Sequence, residues 1–123
     1  VSGAEAGCQA ETGTATSMAA AAVCTVFGQS LETTEYAAEI ALEHQLGLTC
    51  DPVGGYVQIP CIERNAVAAL RALDSADLAD VLSGTRKISF DLIVRTMYET
   101  GKDLDARYRE TSEGGLATGY RIC

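Results

Sequence analysis

Residues 48–65 read LTCDPVGGYVQIPCIERN. Two cysteines, Cys50 and Cys61, bracket most of this stretch, and a proline lies close to each of them. Because proline fixes φ and lacks a backbone N–H, a regular helix cannot continue through either thiol. Gly54 and Gly55, between the cysteines, permit a tight turn. Rigid, non-helical backbone that carries thiols suits metal ligation, and we interpret the stretch as a cradle for a metal or a metal cluster.

The composition indicates a folded, acidic protein. The chain has 123 residues, of which 47% are hydrophobic, and a formal charge of -8. This length predicts one domain with a modest core. The negative charge makes nucleic acid and anionic membrane surfaces unsuitable partners. The longest largely apolar run, residues 18–27, is far too short to span a membrane and follows acidic rather than basic residues. We therefore expect a cytoplasmic protein with no export signal, and Val1 in place of methionine suggests a processed or partial chain.

The cysteine count favours ligands over disulfides. Five cysteines is an odd number, and no Cys-x-x-Cys pair supports a zinc finger or a thioredoxin-type site. One cysteine falls inside an apolar helical pattern, where a free thiol usually packs as a small hydrophobe. We therefore expect that residue, Cys24, to belong to the core, and Cys8 and Cys123 to be possible partners of the two cradle cysteines. The five are Cys8, Cys24 (the core residue), Cys50, Cys61 and Cys123.

Periodicity and capping residues predict an all-α domain, a compact set of helices around the loop-borne cysteines. An alanine-rich helix that is apolar nearly all round should be buried on every side. The only possible strand, residues 56–59, is too short to found a sheet. Periodicity is lost in a tail over residues 110–123. The predicted helices are 14–27, one from an N-cap at Thr33 or Thr34 to about Leu46, 63–73, one capped by Asp74 and ending at Gly84, and 90–100 capped by Ser89.

Helical spacing also predicts which faces are buried. The single histidine, His44, shares a face with Ala37, Ile40, Ala41 and Leu48, so we expect it to point inward as a core histidine or as a proton carrier near the site. Cys61 precedes a helix N-terminus, where the dipole favours a thiolate. Arg64 and Asn65, on the first turn, would face an anionic ligand or solvent. The expected apolar stripes are Ala66, Ala69, Leu70 and Leu73 in the helix after the cradle and Leu92, Ile93, Thr96 and Met97 in the last helix.

Four segments together resemble a known family. They are GCQAE at 7–11, LTCDPVGG at 48–55, IPCIERNA at 59–66 and YRETSEGGLA at 108–117. Their wording and order are similar to those of the bacterial iron–sulfur L-serine dehydratases. The resemblance is to the C-terminal part of the catalytic α region and covers essentially the whole chain.

The resemblance implies the chemistry of the site. The family deaminates L-serine to pyruvate and ammonia with a 4Fe-4S cluster. Its ligand motifs fall here on Cys8, Cys50 and Cys61, with Cys123 as a displaceable fourth ligand. One iron then serves as a Lewis acid for the serine hydroxyl. Arg64 and Asn65 would bind substrate, and the candidates for the catalytic base are His44, Glu5 and Glu11, with Glu63 also nearby.

The resemblance also bears on partners. Relatives of this kind carry an N-terminal β region and an earlier part of the α region, neither of which is present here. We expect these regions to be partners, in the same or a separate chain, and to supply most of the substrate-binding and proton-abstracting groups. We further expect L-serine as substrate and a homodimer. The alternatives are a cysteine desulfidase, an electron-transfer or structural metal domain with four permanent cysteine ligands, and a zinc-binding module.

Overall fold

A computed structural model describes residues 2–120 of the chain. Within that range the chain is helical, and no strand is present beyond an isolated bridge between Cys50 and Arg109. The prediction of an all-α protein is therefore confirmed. None of the described helices is both long and apolar enough to cross a lipid bilayer. The helices are α1 (Gly3–Ala6), a π-helical turn (Gln9–Gly13), α2 (Thr14–Val26), α3 (Leu31–Glu43), α4 (Cys61–Val81), α5 (Phe90–Asp103) and α6 (Leu116–Gly119), with short 3₁₀ turns at Val53–Gly55 and Ala106–Tyr108.

The main core lies where α2, α3 and α4 pack together. Its side chains are small, which lets the three helix backbones approach closely and makes burial possible without long apolar residues. Cys24 lies in this core and is 1% exposed, which confirms the prediction that it is a core residue. The other buried members are Ala20, Ala37, Ile40, Ala41, Ala72, Ala76 and Ala79.

A second core joins α1, the π-helical turn and α5. Ala6, Ala10, Leu42, Ile93 and Met97 form it. Gly101 of α5 lies directly against Ala6, with no space for a Cβ atom, so this glycine sets how closely α1 can pack on α5. This second core carries the segment that leads into Cys8.

Helix α4 differs from its prediction in two respects. It runs unbroken for 21 residues, and Asp74 is an exposed residue within it rather than the cap of a new helix. Neither proline nor glycine occurs between residues 61 and 81, so nothing in the backbone forces a break. The buried face consists of Ala68, Ala72, Ser75, Ala76 and Ala79, whereas the predicted stripe of Ala66, Ala69, Leu70 and Leu73 is exposed.

Other boundaries moved by a turn or less. Helix α3 begins after Ser30, whose Oγ accepts a hydrogen bond from the Thr33 N–H, so Thr33 and Thr34 are not its caps. The Ser89 cap of α5 is confirmed, although the helix continues past residue 100 to Asp103 and leaves Leu92 exposed. Helix α2 is not buried on every side, because Met18 is 69% exposed.

Candidate metal centre

Three of the cysteines line one cavity of about 190 Å³. Cys8, Cys50 and Cys61 are 4%, 5% and 6% exposed and carry free thiols. They come from three separate segments of the chain. The remaining lining residues are Glu11, Thr12, Ala15, Pro52, Val57, Asn65 and Glu110.

Cys8 is held by a glycine before it and a glutamine after it. Gly7 has φ +74, and a Cβ there would lie 2.8 Å from the Leu48 carbonyl oxygen, so only glycine fits this close approach. Gln9 is fully buried, and its Nε2 donates to the carbonyls of Ala6 and Met97 at 2.9 and 3.0 Å. The Cys8 thiol lies 3.1 Å from the Oγ1 of Thr12. Cys8 is therefore anchored to the core that α5 builds.

Cys50 is held by backbone hydrogen bonds to Tyr108 and Glu110, where the tail begins. Its N–H donates to the Tyr108 carbonyl at 2.8 Å, and its own carbonyl accepts from the Glu110 N–H at 2.9 Å. The Arg64 Nη1 donates to the Thr49 carbonyl at 2.8 Å, one residue before the cysteine. The position of this thiol therefore depends on residues almost sixty positions later in the chain.

Cys61 is the first residue of α4 and follows a cis peptide bond between Ile59 and Pro60. The Asn65 Nδ2 donates to the Cys61 carbonyl at 2.8 Å, so Asn65 supports the first helical turn while it lines the cavity. This cysteine is carried by the longest helix of the described chain.

The electrostatics of the cavity disfavour free thiolates. Burial, followed by the charges of Cys8 and Glu110, raises the pKa of the Cys50 thiol to about 12. Burial and Cys8 also raise the pKa of Cys61, outweighing Arg64, which lowers it. A backbone hydrogen bond at Cys61 acts in the direction expected at a helix start and lowers the pKa, but burial and Cys8 outweigh it. The surroundings become favourable for thiolates only when a cation-bearing group shares the cavity.

Carboxylates add to this negative character. A Cβ on Gly3 would lie 3.0 Å from the Glu11 Oε2 and 3.5 Å from both the Cys50 Sγ and the Glu110 Oε2, so both carboxylates approach the same thiol. No lysine or arginine is among the described lining residues. The sequence reasoning missed Glu110. Its backbone has φ +65, and the sequence around it carries no glycine signal for that conformation.

A single metal ion and a metal cluster place different demands on the spacing of thiol ligands. Thiolates that share one tetrahedral zinc lie within about 4 Å of one another, given Zn–S bonds of about 2.3 Å. Among residues 2–120, no three His, Cys, Asp or Glu side chains meet closely enough for one metal ion. A cubane of four irons binds each thiolate through a different metal atom. Three thiols spread around one cavity are compatible with that arrangement.

The other predicted site residues lie in different places. Arg64 donates to Asp51 at 2.8 Å and lines a neighbouring cavity of about 310 Å³ together with His44 and Glu63. His44 is exposed, and its Nδ1 donates to the Ile40 carbonyl at 2.8 Å. The prediction that it points inward is therefore wrong, because α3 ends one residue before it.

Of the base candidates, only Glu11 lines the cysteine cavity. Glu5 accepts from the Ser2 N–H at 3.1 Å and lines a separate cavity beside Tyr98. Cys123, the predicted fourth ligand, lies outside the described residues.

Comparison with known proteins identifies the family. The sequence model of the family described as "Serine dehydratase alpha chain" matches residues 1–117. The chain belongs to the serine dehydratase alpha-chain family. An L-serine dehydratase of Streptomyces coelicolor is 55% identical over the whole chain, and L-serine dehydratase 1 of Escherichia coli is 56% identical over 95% of it. An L-serine dehydratase of Helicobacter pylori is 54% identical over the same share.

These members of the family are much longer than the chain. It covers 27% of the Streptomyces coelicolor protein and 26% of each of the other two. The chain thus corresponds to about a quarter of a serine dehydratase, and that quarter contains the cavity lined by three cysteines.

Proposed function

We propose that the chain supplies the cluster-binding part of an L-serine dehydratase, which converts L-serine to pyruvate and ammonia. The observation that carries the proposal is that Cys8, Cys50 and Cys61, from three distant segments, line one cavity. The names of the relatives supply the substrate, and their greater length leaves room for the groups that complete the site.

The three thiols would hold a 4Fe-4S cluster, with Cys123 as the displaceable fourth ligand. When bound, the cluster supplies an electrophilic iron that lowers the cost of expelling the serine hydroxyl. Pro52 and Val57 form an apolar part of the cavity wall.

The remaining lining residues would position substrate. Asn65 lines the cavity and donates to the Cys61 carbonyl through its Nδ2, and its amide oxygen would serve as an acceptor for substrate. Glu11 and Glu110 provide negative charge that suits the ammonium group of an amino acid. Glu11 is also the base candidate closest to the thiols, because it alone among the candidates lines the cavity. Arg64 is tied to Asp51, which favours a role in holding the loop over binding the serine carboxylate.

The test is anaerobic reconstitution with iron and sulfide, followed by analysis of iron, sulfide and visible absorption. Each of the variants Cys8→Ala, Cys50→Ala and Cys61→Ala should lose most of the bound iron. Cys24→Ala is the matched control, because Cys24 is equally buried but lies in the core between α2, α3 and α4. Equal iron content in all four variants would refute the ligand assignment.

The activity requires a second measurement. Pyruvate formation from L-serine is assayed with the reconstituted chain alone and after addition of the remaining regions of a longer relative. We expect activity only in the second case, because the chain covers about a quarter of its relatives and the remaining regions would supply further base and substrate contacts. Absence of pyruvate in both, with a fully loaded cluster, would favour the electron-transfer or structural alternative. The expected homodimer is checked on the same samples by light scattering.

A further inference from the structure

Asp51 is a buried carboxylate whose two oxygens join different parts of the chain. It is 3% exposed and directly follows Cys50. Its Oδ1 accepts from the Arg64 Nη2 at 2.8 Å, and its Oδ2 accepts from the Leu116 N–H at 2.7 Å. One side chain therefore connects the Cys50 loop, the first turn of α4 and the start of α6.

The segment that packs against the Asp51 carboxylate leaves space for it at a glycine. Gly115 has φ +59, and its Cα lies so close to Asp51 that a Cβ would overlap the carboxylate. The Ser112 Oγ donates to the Pro52 carbonyl at 2.6 Å, which adds a second attachment on the other side of Cys50. Together with the pairing of Cys50 to Tyr108 and Glu110, these contacts bind residues 108–119, here called the tail clasp, to the Cys50 loop.

We propose that Asp51 is a positioning residue, which with Arg64 fastens the tail clasp to the Cys50 loop and so keeps the Glu110 wall of the cysteine cavity in place. The expected consequence is that the closed clasp slows the loss of a bound cluster, and this consequence rests on the proposed function. The proposal goes beyond that function because it assigns a task to Asp51 and Arg64, neither of which is among the described residues that line the cysteine cavity.

The first part of the test needs no cluster. Hydrogen exchange of the Leu116 amide is followed in the full 123-residue chain and in Asp51→Asn, which loses the ion pair and retains one acceptor. We expect exchange at least about tenfold faster, since hydrogen bonds to a charged acceptor are the stronger ones. Asp105→Asn is the matched control, because Asp105 accepts from an arginine and a backbone N–H in the same region without contacting the Cys50 loop. Equal exchange in both variants would overturn the inference.

The second part measures iron transfer from the reconstituted chain to a chelator under anaerobic conditions. Release should be several-fold faster in Asp51→Asn and Arg64→Gln than in Asp105→Asn, and the double variant should be no faster than Asp51→Asn because the two residues act as one unit. Unchanged release despite faster exchange would refute the role in cluster retention. Failure of the unmodified chain to take up iron would instead refute the proposed function, and hydrogen exchange would still decide whether the clasp exists.

Discussion

Replacing Glu39 with glutamine should remove a specific pH dependence of stability. Glu39 lies on α3 and is 1% exposed, and its Oε1 has no hydrogen-bond partner among residues 2–120. Burial first, then a hydrogen bond to Glu43 and the charge of Glu43, raise its pKa to about 7, although Arg86 acts in the opposite direction. The bond to Glu43 forms only when one of the two carboxyls holds a proton. The folded chain therefore retains a proton that the unfolded chain releases near pH 4.5.

The sign and size follow from linkage. Because the folded pKa is the higher one, this contribution to stability is complete below about pH 4.5 and is lost as the pH rises through about 7. Between pH 5.5 and 8.5 the full shift would cost about 2 kcal/mol of unfolding free energy. Glu39 lines a cavity of about 330 Å³, and water entering it would weaken the effect of burial, so we expect about 1–2 kcal/mol. The neutral amide of Glu39→Gln removes this loss.

The assay is urea unfolding followed by far-ultraviolet circular dichroism at several pH values between 5.5 and 8.5. The quantity of interest is the pH slope of the wild-type chain minus that of Glu39→Gln, because this difference cancels the other titrating groups. Glu35→Gln is the control on the same helix, since Glu35 is exposed and pairs with Arg86. The reasoning would be refuted if Glu39→Gln and the wild-type chain lost stability in parallel as the pH rises.

Two further substitutions test the packing. Ala72→Leu should cost about 1–3 kcal/mol because it overfills the core between three helices, whereas Leu70→Ala should change stability by less than about 0.5 kcal/mol, since that side chain is 63% exposed. Urea unfolding decides, and similar costs for both would contradict the assigned faces of α4. Gly115→Ala should open the tail clasp and increase the alkylation rate of the Cys50 thiol in the metal-free chain at least about fivefold. Gly119→Ala is the control, because a Cβ there would meet no atom of the described residues within 4 Å. Mass spectrometry gives the rates, and equal values in the two variants would contradict the role of the clasp.

The sequence predicted the class of fold because capping residues and helix-stopping glycines are local signals. Ser89, for example, is followed by an acidic residue in the first helical turn, Asp91, and it caps α5 as expected. The buried face of α4 was predicted wrongly because hydrophobicity alone favours leucine over alanine. Ala72 and Ala79 are buried through close helix approach, a tertiary property that no single-helix pattern reveals. His44 was misplaced for a related reason, since periodicity cannot show that α3 ends at Glu43.

The sequence predicted which thiols meet at the candidate site, but not which carboxylates lie beside them. Cys8, Cys50 and Cys61 stand in distinctive motifs, and the structure brings them to one cavity. Glu110 reaches the cavity only because backbone pairing with Cys50 and a left-handed φ orient it there. Asp51 likewise has no local signal, because its partners lie 13 and 65 residues away.

The three thiols are not held equally firmly, and this asymmetry explains why the tail matters. Cys8 is fixed by the fully buried Gln9, whose side chain bonds to α5 and to the Gly47 N–H. Cys61 begins a helix of 21 residues. Cys50 belongs to no helix and depends on pairing with the tail. Because Cys50 alone of the three relies on this pairing, a disturbance of the tail should displace its thiol more than the thiols of Cys8 and Cys61.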